Sequence, residues 1–423
     1  MVYISRFLDN VDALDTKTKP KRIRVLGSDG TLSFQRLSLS ITHLHTHTHS
    51  LSLSLFSLHL RNSNDFLHVS GTRHSFLLKG TEDLRLDERV MQLLSISNDL
   101  YDRHDETASR SLRARHYAVT PLSRKSGLIQ WIDGVVSLFK ISESRFLRQS
   151  VMAEKKKREK KTWNPAKQFH DILKLKTKLS RSECSEQVIR DVFTELQRKT
   201  PKDLLSSEIW LSSTDTFEWW FKRRTYSQSL AVMSMLGYVI GLGDRHLDNI
   251  LLDFSSGEIL HIDYNVCFDK GLRLRVPECV PFRLTKSIRH ALGVTQTAGT
   301  FERACVMTMR VLRRHQKLLL ALMETFAYDP IIDWTRNISR KKNNLEFRSS
   351  CSKDEEEEKK RKDGENAYAI EMLKRIKSRL KGEVMEQDMK TKLSVETQVN
   401  KLIRHAESKK YLCRMYEGWA AWV

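Results

Sequence analysis

Nine residues, Gly241 to Asn249, read GLGDRHLDN. Asp244 and Asn249 stand in the Asp-x-x-x-x-Asn spacing of a phosphoryl-transfer loop. That chemistry wants an acid within reach of an acceptor hydroxyl and a side chain that turns back to hold a divalent cation. A second acid, Asp263, follows two apolar runs, ILLD and EILHID, separated by Ser255-Ser256-Gly257. There it would bind the metals that bridge nucleotide phosphates. Singly, each residue has a plain reading: an Asp in a polar turn is usually a cap or turn former, and a lone His246 an ordinary surface or core histidine. The order of an apolar stretch, this loop and a hairpin ending in an acid carries the signal.

Upstream residues could complete such a site. Lys79 ends the run FLLK and precedes Glu82 and Asp87. A strand lysine can pair with phosphates and with a helical carboxylate, although alone it reads as a strand end. The Gly-Ser-Asp-Gly turn at Gly27 to Gly30, with Ser28 inside it, could cover phosphates with backbone amides. Trp131, in GLIQW, could stack on an adenine or belong to a plain core.

Elements must position these residues. Arg22 to Gly30 reads as a strand entering a turn, Phe76 to Lys79 as a strand, and Arg89 to Ile96 as a helix. Tyr117 to Pro121 and Gly127 to Gly134 read as strands bounded by Gly, Pro and Ser. Helices are expected over Glu186 to Arg198, Asp215 to Phe221, Ser227 to Ile240 and within Phe301 to Phe326. Between the first strand and the second lies a tract with HLHTHTHS and LSLSLFSLHL. His/Thr and then Ser/Leu alternation is what a translated dinucleotide repeat yields. Thr31 to Arg73 is therefore read as retained intron sequence, in preference to an amphipathic strand or a weak metal-binding tract. Glu154 to Lys161 is a basic run, read as an exposed face or loop. Arg340 to Gly364 is almost wholly charged or polar, which predicts a disordered linker. Helical patterns follow at Ala367 to Lys381 and Val395 to Lys409.

The chain of 423 residues carries a net charge of +21, which suits an acidic partner without choosing one. Its six cysteines show no metal-ligand or disulfide spacing, so a reducing compartment is expected. Met1 to Asp15 lacks the layout of a signal peptide. The apolar run Leu230 to Leu242 is too short to span a bilayer. No aromatic-interleaved basic motif supports direct nucleic-acid binding.

On these residues the chain resembles the phosphatidylinositol-3-kinase-related protein kinases. Asp244-Arg245-His246 matches their catalytic loop. Leu26 to Gly30 and Phe76 to Arg89 match their LGS-x-G and FLLKG-x-EDLR-x-DER segments, which in the family lie only a few residues apart. The match continues through Tyr117 to Asp133, Thr200 to Leu205 and Ser227 to Asp263. Asp263-Tyr264-Asn265, VPFRLT at Val280 to Thr285 and FAYDPIIDW at Phe326 to Trp334 resemble in particular the member that acts in nonsense-mediated mRNA decay. Leu412 to Val423 resembles the end of the small C-terminal domain that closes the family.

The resemblance implies an α+β, bilobal protein-kinase-like catalytic domain of the PI3/PI4-kinase type. Its expected parts are a leader (1–15), a small lobe (16–134, with 31–73 inserted), a large lobe (135–338), a charged disordered linker (339–365), a helical connector (366–391) and a FATC-like segment (392–423). It implies ATP and Mg2+, with Mn2+ as the alternative ion. Asp244 would orient or deprotonate the hydroxyl, and His246 would stabilise the transferring group. Asn249 and Asp263 would bind the metal. Ser28, Lys79, Glu82, Asp87, Tyr117, Trp131 and Ile132 would bind ATP. The implied activity is Ser/Thr-Gln-directed phosphorylation of an RNA helicase of the decay surveillance complex. Regulatory subunits of the decay kinase are the implied partners, in the cytoplasm and also the nucleus. The competing readings are a phosphatidylinositol lipid kinase and a catalytically impaired scaffold. Intact Lys79, Asp244, Asn249 and Asp263 speak against the scaffold.

Overall fold

The computed structural model describes residues 4–7, 12–13, 21–27, 73–80, 82–153, 163–327, 354–386 and 389–423. Ser28, the Thr31–Arg73 tract apart from Arg73, the basic run Glu154–Lys161 and most of FAYDPIIDW lie outside them. The chain divides into two compact units, Met1–Gln92 with His116–Asp133, and Leu93–Arg115 with Gly134–Val423. The smaller unit is thus not one continuous run.

The first unit is an antiparallel sheet. Its described strands are β1 (Ile4–Phe7), β2 (Asp12–Ala13), β3 (Lys21–Gly27), β4 (Arg73–Gly80), β5 (Val119–Ser123) and β6 (Ser126–Gln130). The order is β1-β3-β4-β6-β5, with β2 also on β3. β4 is central: Phe76 pairs with Ile23 on one side and Gln130 on the other. β6 stops at Gln130, so Trp131 to Gly134 lie beyond the strand expected there. Helix α1 (Arg85–Asp102) begins in this unit and is longer than its apolar pattern alone predicts. Gly127 is required where β6 passes β5 and Leu84, the residue before α1: an added Cβ would come within 2.8 Å of Leu84 Cδ1 and of the Thr120 carbonyl.

The second unit is mainly helical, with a three-stranded sheet of β7 (Val135–Ser137), β8 (Ile250–Asp253) and β9 (Ile259–His261). Its main described helices are α2 (Leu138–Ala153), α3 (Pro165–Lys176), α4 (Glu186–Lys199), α5 (Leu204–Leu211), α6 (Thr216–Ile240), α7 (Lys286–Ala291), α8 (Thr300–Arg314), α9 (Gln316–Ala327), α10 (Asp354–Lys381) and α11 (Val395–Glu407). α6 is the spine. Tyr226, Leu230, Met233, Leu236 and Ile240 on it are buried, and α8 packs along it. The two helices expected at 215–221 and 227–240 are one helix. Lys222 does not break it, because its ammonium donates to the Ser212 carbonyl at 2.7 Å and pairs with Glu218 at 2.8 Å.

Two expectations for the region after residue 339 are corrected. Residues 354–365 belong to α10 rather than to a disordered linker. The connector to the C-terminal segment is not wholly helical: β10 (Glu383–Glu386) and β11 (Met389–Lys392) form a hairpin. Tyr368, Met372, Ile376 and Leu380, spaced by four, are buried along α10 and anchor it. The chain ends in a buried plug, with Trp419 to Val423 each no more than 3% exposed.

Candidate active site

α6 delivers the candidate loop. Asp215 caps its start by accepting from the Glu218 N–H at 2.8 Å, worth about 1 kcal/mol. Gly241 ends it in the left-handed conformation, at φ 59° and ψ 46°. The chain then turns into Asp244, whose φ of 55° is unusual for a residue with a side chain. Asp263, after β9, has φ 60°. Such backbone persists only where surrounding contacts impose it.

Arg245 supplies many of those contacts. It is 3% exposed. Its Nε donates to the Gly243 carbonyl at 2.8 Å, and Nη1 donates to the carbonyls of Asn249 at 3.3 Å and Ile262 at 2.7 Å. Nη2 donates to the carbonyl of Asp263. One guanidinium thus ties the loop to the segment that carries the second acid. Asn249 adds a tie, its Nδ2 donating to the Asp244 carbonyl at 2.8 Å, while the Ile262 N–H donates to the Asn249 carbonyl at 3.1 Å. The Asn249 amide is thereby oriented through its nitrogen, and its oxygen is the atom suited to a cation.

Asp244 and His246 keep partly open side chains, 39% and 34% exposed, with His246 Nε2 3.9 Å from Asp244 Oδ2. The Asp248 N–H donates to His246 Nδ1 at 3.2 Å, which leaves Nε2 to carry the ring proton in the neutral tautomer. Asp263 Oδ1 accepts from the Asn265 N–H at 3.2 Å. His261 lies buried, and burial holds it well below the usual histidine range, so it stays neutral. The structure therefore brings Asp244, His246, Asn249 and Asp263 into one stitched constellation.

Two further residues were not assigned to the site from the sequence. Glu278 accepts the Asp244 N–H with both carboxylate oxygens, at 2.9 Å each. Burial pushes its carboxyl up to about 7. Arg283 is 2% exposed and donates to the carbonyls of Arg245, Trp419 and Ala420 at 3.2, 2.6 and 2.9 Å. Its guanidinium also lies 4.1 Å above the Trp419 ring, and burial lowers its pKa to about 9. A glutamate and an arginine inside the otherwise apolar VPECVPFRLT were the available signal.

In the first unit, Lys79 near the end of β4 pairs with Glu82. Asp87, 4% exposed, sits in the first turn of α1. Tyr117 is buried, and its N–H donates to Met91 Sδ at 3.5 Å. The Trp131 N–H donates to the Ser75 carbonyl at 3.0 Å and its indole to Asp133 Oδ1 at 2.9 Å. Arg22 lies 4.5 Å over the Trp131 ring, so that face cannot stack on a base while Arg22 stays there. Ile132 is half-buried beside it.

For a divalent cation, Asn249 and Asp263 offer one amide and one carboxylate oxygen. Two hard oxygen donors fit Mg2+, which keeps waters and phosphate oxygens as its other ligands. No group of three or more His, Cys, Asp or Glu able to hold a metal ion occurs among the described residues.

Comparison with known proteins adds the following. The family model described as phosphatidylinositol 3- and 4-kinase matches residues 73–336, and the FATC domain model matches residues 392–423. The chain is 41% identical to the zebrafish (Danio rerio) serine/threonine-protein kinase SMG1 over 77% of its length, and 39% identical to Drosophila melanogaster Smg1 over 79%. It spans 8% and 10% of those relatives. A solved structure described as the FAT and kinase domain of CtTel1 covers 99% of the chain, with a TM-score of 0.69 at 26% identity; the match takes in 24% of that structure.

Proposed function

The chain belongs to the phosphatidylinositol 3- and 4-kinase family, and on that premise we propose that it transfers the γ-phosphoryl group of ATP to serine or threonine hydroxyls of proteins. The observation that supports this best is the stitched constellation of Asp244, His246, Asn249 and Asp263. ATP with Mg2+, or Mn2+ in its place, supplies the phosphoryl group and neutralises its charge when bound. Asp244 then orients the acceptor hydroxyl and takes its proton. His246, with a proton on Nε2, donates a hydrogen bond toward the transferring group. The Asn249 oxygen and the Asp263 carboxylate hold the cation, and Lys79, positioned by Glu82, holds phosphate oxygens. Ser28, Asp87, Tyr117, Trp131 and Ile132 complete the nucleotide contacts in this reading.

A protein rather than a lipid acceptor is favoured by the fate of the basic residues after Asp263. Lipid kinases need a basic cluster there to hold inositol phosphates. Of Lys270, Arg273, Arg275 and Arg283, Lys270 and Arg283 are buried, and Arg283 is committed to backbone carbonyls. Arg273 lies 4.3 Å over Tyr368. The finer reading is phosphorylation at Ser/Thr-Gln of an RNA helicase in nonsense-mediated mRNA decay, in the cytoplasm with a nuclear fraction. The serine/threonine part agrees with the relatives' names, and the decay-pathway part rests on the resemblance carried by Asp263-Tyr264-Asn265. The Thr31–Arg73 tract is retained intron sequence in the same reading, and mature transcripts lacking those codons are expected. Offering radiolabelled ATP with a Ser-Gln peptide or with phosphatidylinositol vesicles tests the acceptor. Label in the peptide alone is expected, and label in the lipid alone would reverse the assignment.

A further inference from the structure

We infer that Glu278 is a positioning residue for Asp244: its carboxylate grips the Asp244 N–H and holds the aspartate in its left-handed backbone conformation. The inference rests on the phosphoryl-transfer reading above. Asp244 has φ 55°, and its N–H is bound 2.9 Å from both Glu278 oxygens. Glu278 is itself anchored, its N–H donating to the Gly271 carbonyl at 3.1 Å. The carboxylate enters only because two neighbours lack side chains. A Cβ at Gly243 would fall on Glu278 Oε2, and one at Gly271 would come within 2.6 Å of it. Any other residue at either position would displace the carboxylate or the loop. Glu278 thus joins the segment after Asp263 to the loop from behind, while Arg245 joins them from the front.

The charged and polar groups facing Glu278 are few. From the loop come Asp244 and Arg245, from the following segment Arg283, and from the C-terminal plug the Trp419 indole. Burial raises the Glu278 pKa most, the Asp244 charge adds to that, and the Asp244 N–H, Arg245 and Trp419 oppose it. The carboxylate also lines a cavity of about 350 Å3 behind the loop, together with Gly243, Asp269, Arg379 and His405, so protons can reach it. Ionised, Glu278 offers two acceptors to the amide. Protonated, one oxygen becomes a donor facing another donor, and the grip loosens.

Activity and stability then run in opposite directions with pH. The folded-state pKa of about 7 lies above the ordinary value of 4.5, so folding favours the protonated form. The stability this group contributes is present at low pH and lost as pH rises through about 7, whereas the grip on Asp244 is gained over the same range. A merely structural glutamate would not separate the two.

The test uses the full chain and its Glu278→Gln and Glu278→Asp variants. Peptide phosphorylation is followed from about pH 5.5 to about pH 8.5, with thermal unfolding at each pH and hydrogen exchange of the Asp244 amide at one pH. Wild-type kcat should fall on the acid side with a midpoint near 7, and KM for peptide and ATP should hold steady. Glu278→Gln should lose about 10- to 100-fold in kcat at high pH, lack the acid limb and exchange the Asp244 amide about tenfold faster. Glu278→Asp should restore the limb and part of the rate. The inference is overturned if Glu278→Gln keeps the wild-type kcat and limb, or if its loss only follows the folded fraction. If neither the full chain nor one lacking residues 31–73 phosphorylates peptide, the phosphoryl-transfer reading fails, and unchanged amide exchange in Glu278→Gln would separately sink the positioning role.

Discussion

Asp244 carries the proposed chemistry, and its partners define what its loss should do. Its carboxylate is partly open, while its backbone is held by Glu278 and Asn249. Asp244→Asn should therefore keep the fold and lower kcat by at least about 100-fold with little change in KM, as steady-state kinetics beside a thermal melt would show. Asp263→Asn should instead raise the Mg2+ needed for half-maximal rate by about tenfold or more, read from a metal titration at saturating ATP. Asp244 and Asn249 were legible in the sequence because they share one loop and a fixed spacing. Glu278 and Arg283 were not placed at the loop, because they reach it across separations of 34 and 38 residues and sit in an irregular segment that has no period to read.

At the scale of elements, the end of α6 sets the loop's entry angle. A Cβ at Gly241 would meet the Asp269 N–H at 2.7 Å and Arg379 Nη1 at 2.9 Å, in a left-handed conformation that itself disfavours a side chain. Gly241→Ala should cost about 2 kcal/mol or more in chemical denaturation and lower kcat as well. Asp269 is a buried acid held by Arg379 at 2.6 Å and Arg375 at 3.4 Å, both from α10. Arg379→Ala should lower the denaturation midpoint by an amount equivalent to about 2 kcal/mol, since Arg375 remains as a partner. This role for α10 was hidden. Its acidic and basic start reads as a solvated linker, and only the four-residue spacing from Tyr368 to Leu380 reveals the buried stripe. The hairpin Ile250–His261 was easier, because two apolar runs flank a Ser-Ser-Gly turn.

Within the larger unit, the last residues of the chain are part of the site's support. Trp419 and Ala420 supply carbonyls to the buried Arg283, and Trp422 stacks on Phe169 at 6.1 Å between ring centroids. Removing residues 417–423 would leave that guanidinium buried without two of its acceptors. A loss of roughly 3–5 kcal/mol is expected, measured as a shift in the urea midpoint with a parallel fall in activity. The most direct measurement of the central claim is ATP-dependent phosphorylation of a Ser-Gln peptide, with a Gln-swapped control peptide. It is made on the full chain and on one lacking residues 31–73, each with and without Asp244→Ala. Phosphate in the Ser-Gln peptide from at least the shortened chain, abolished by Asp244→Ala, is the predicted result. Folded proteins that transfer no phosphate in either form would contradict it.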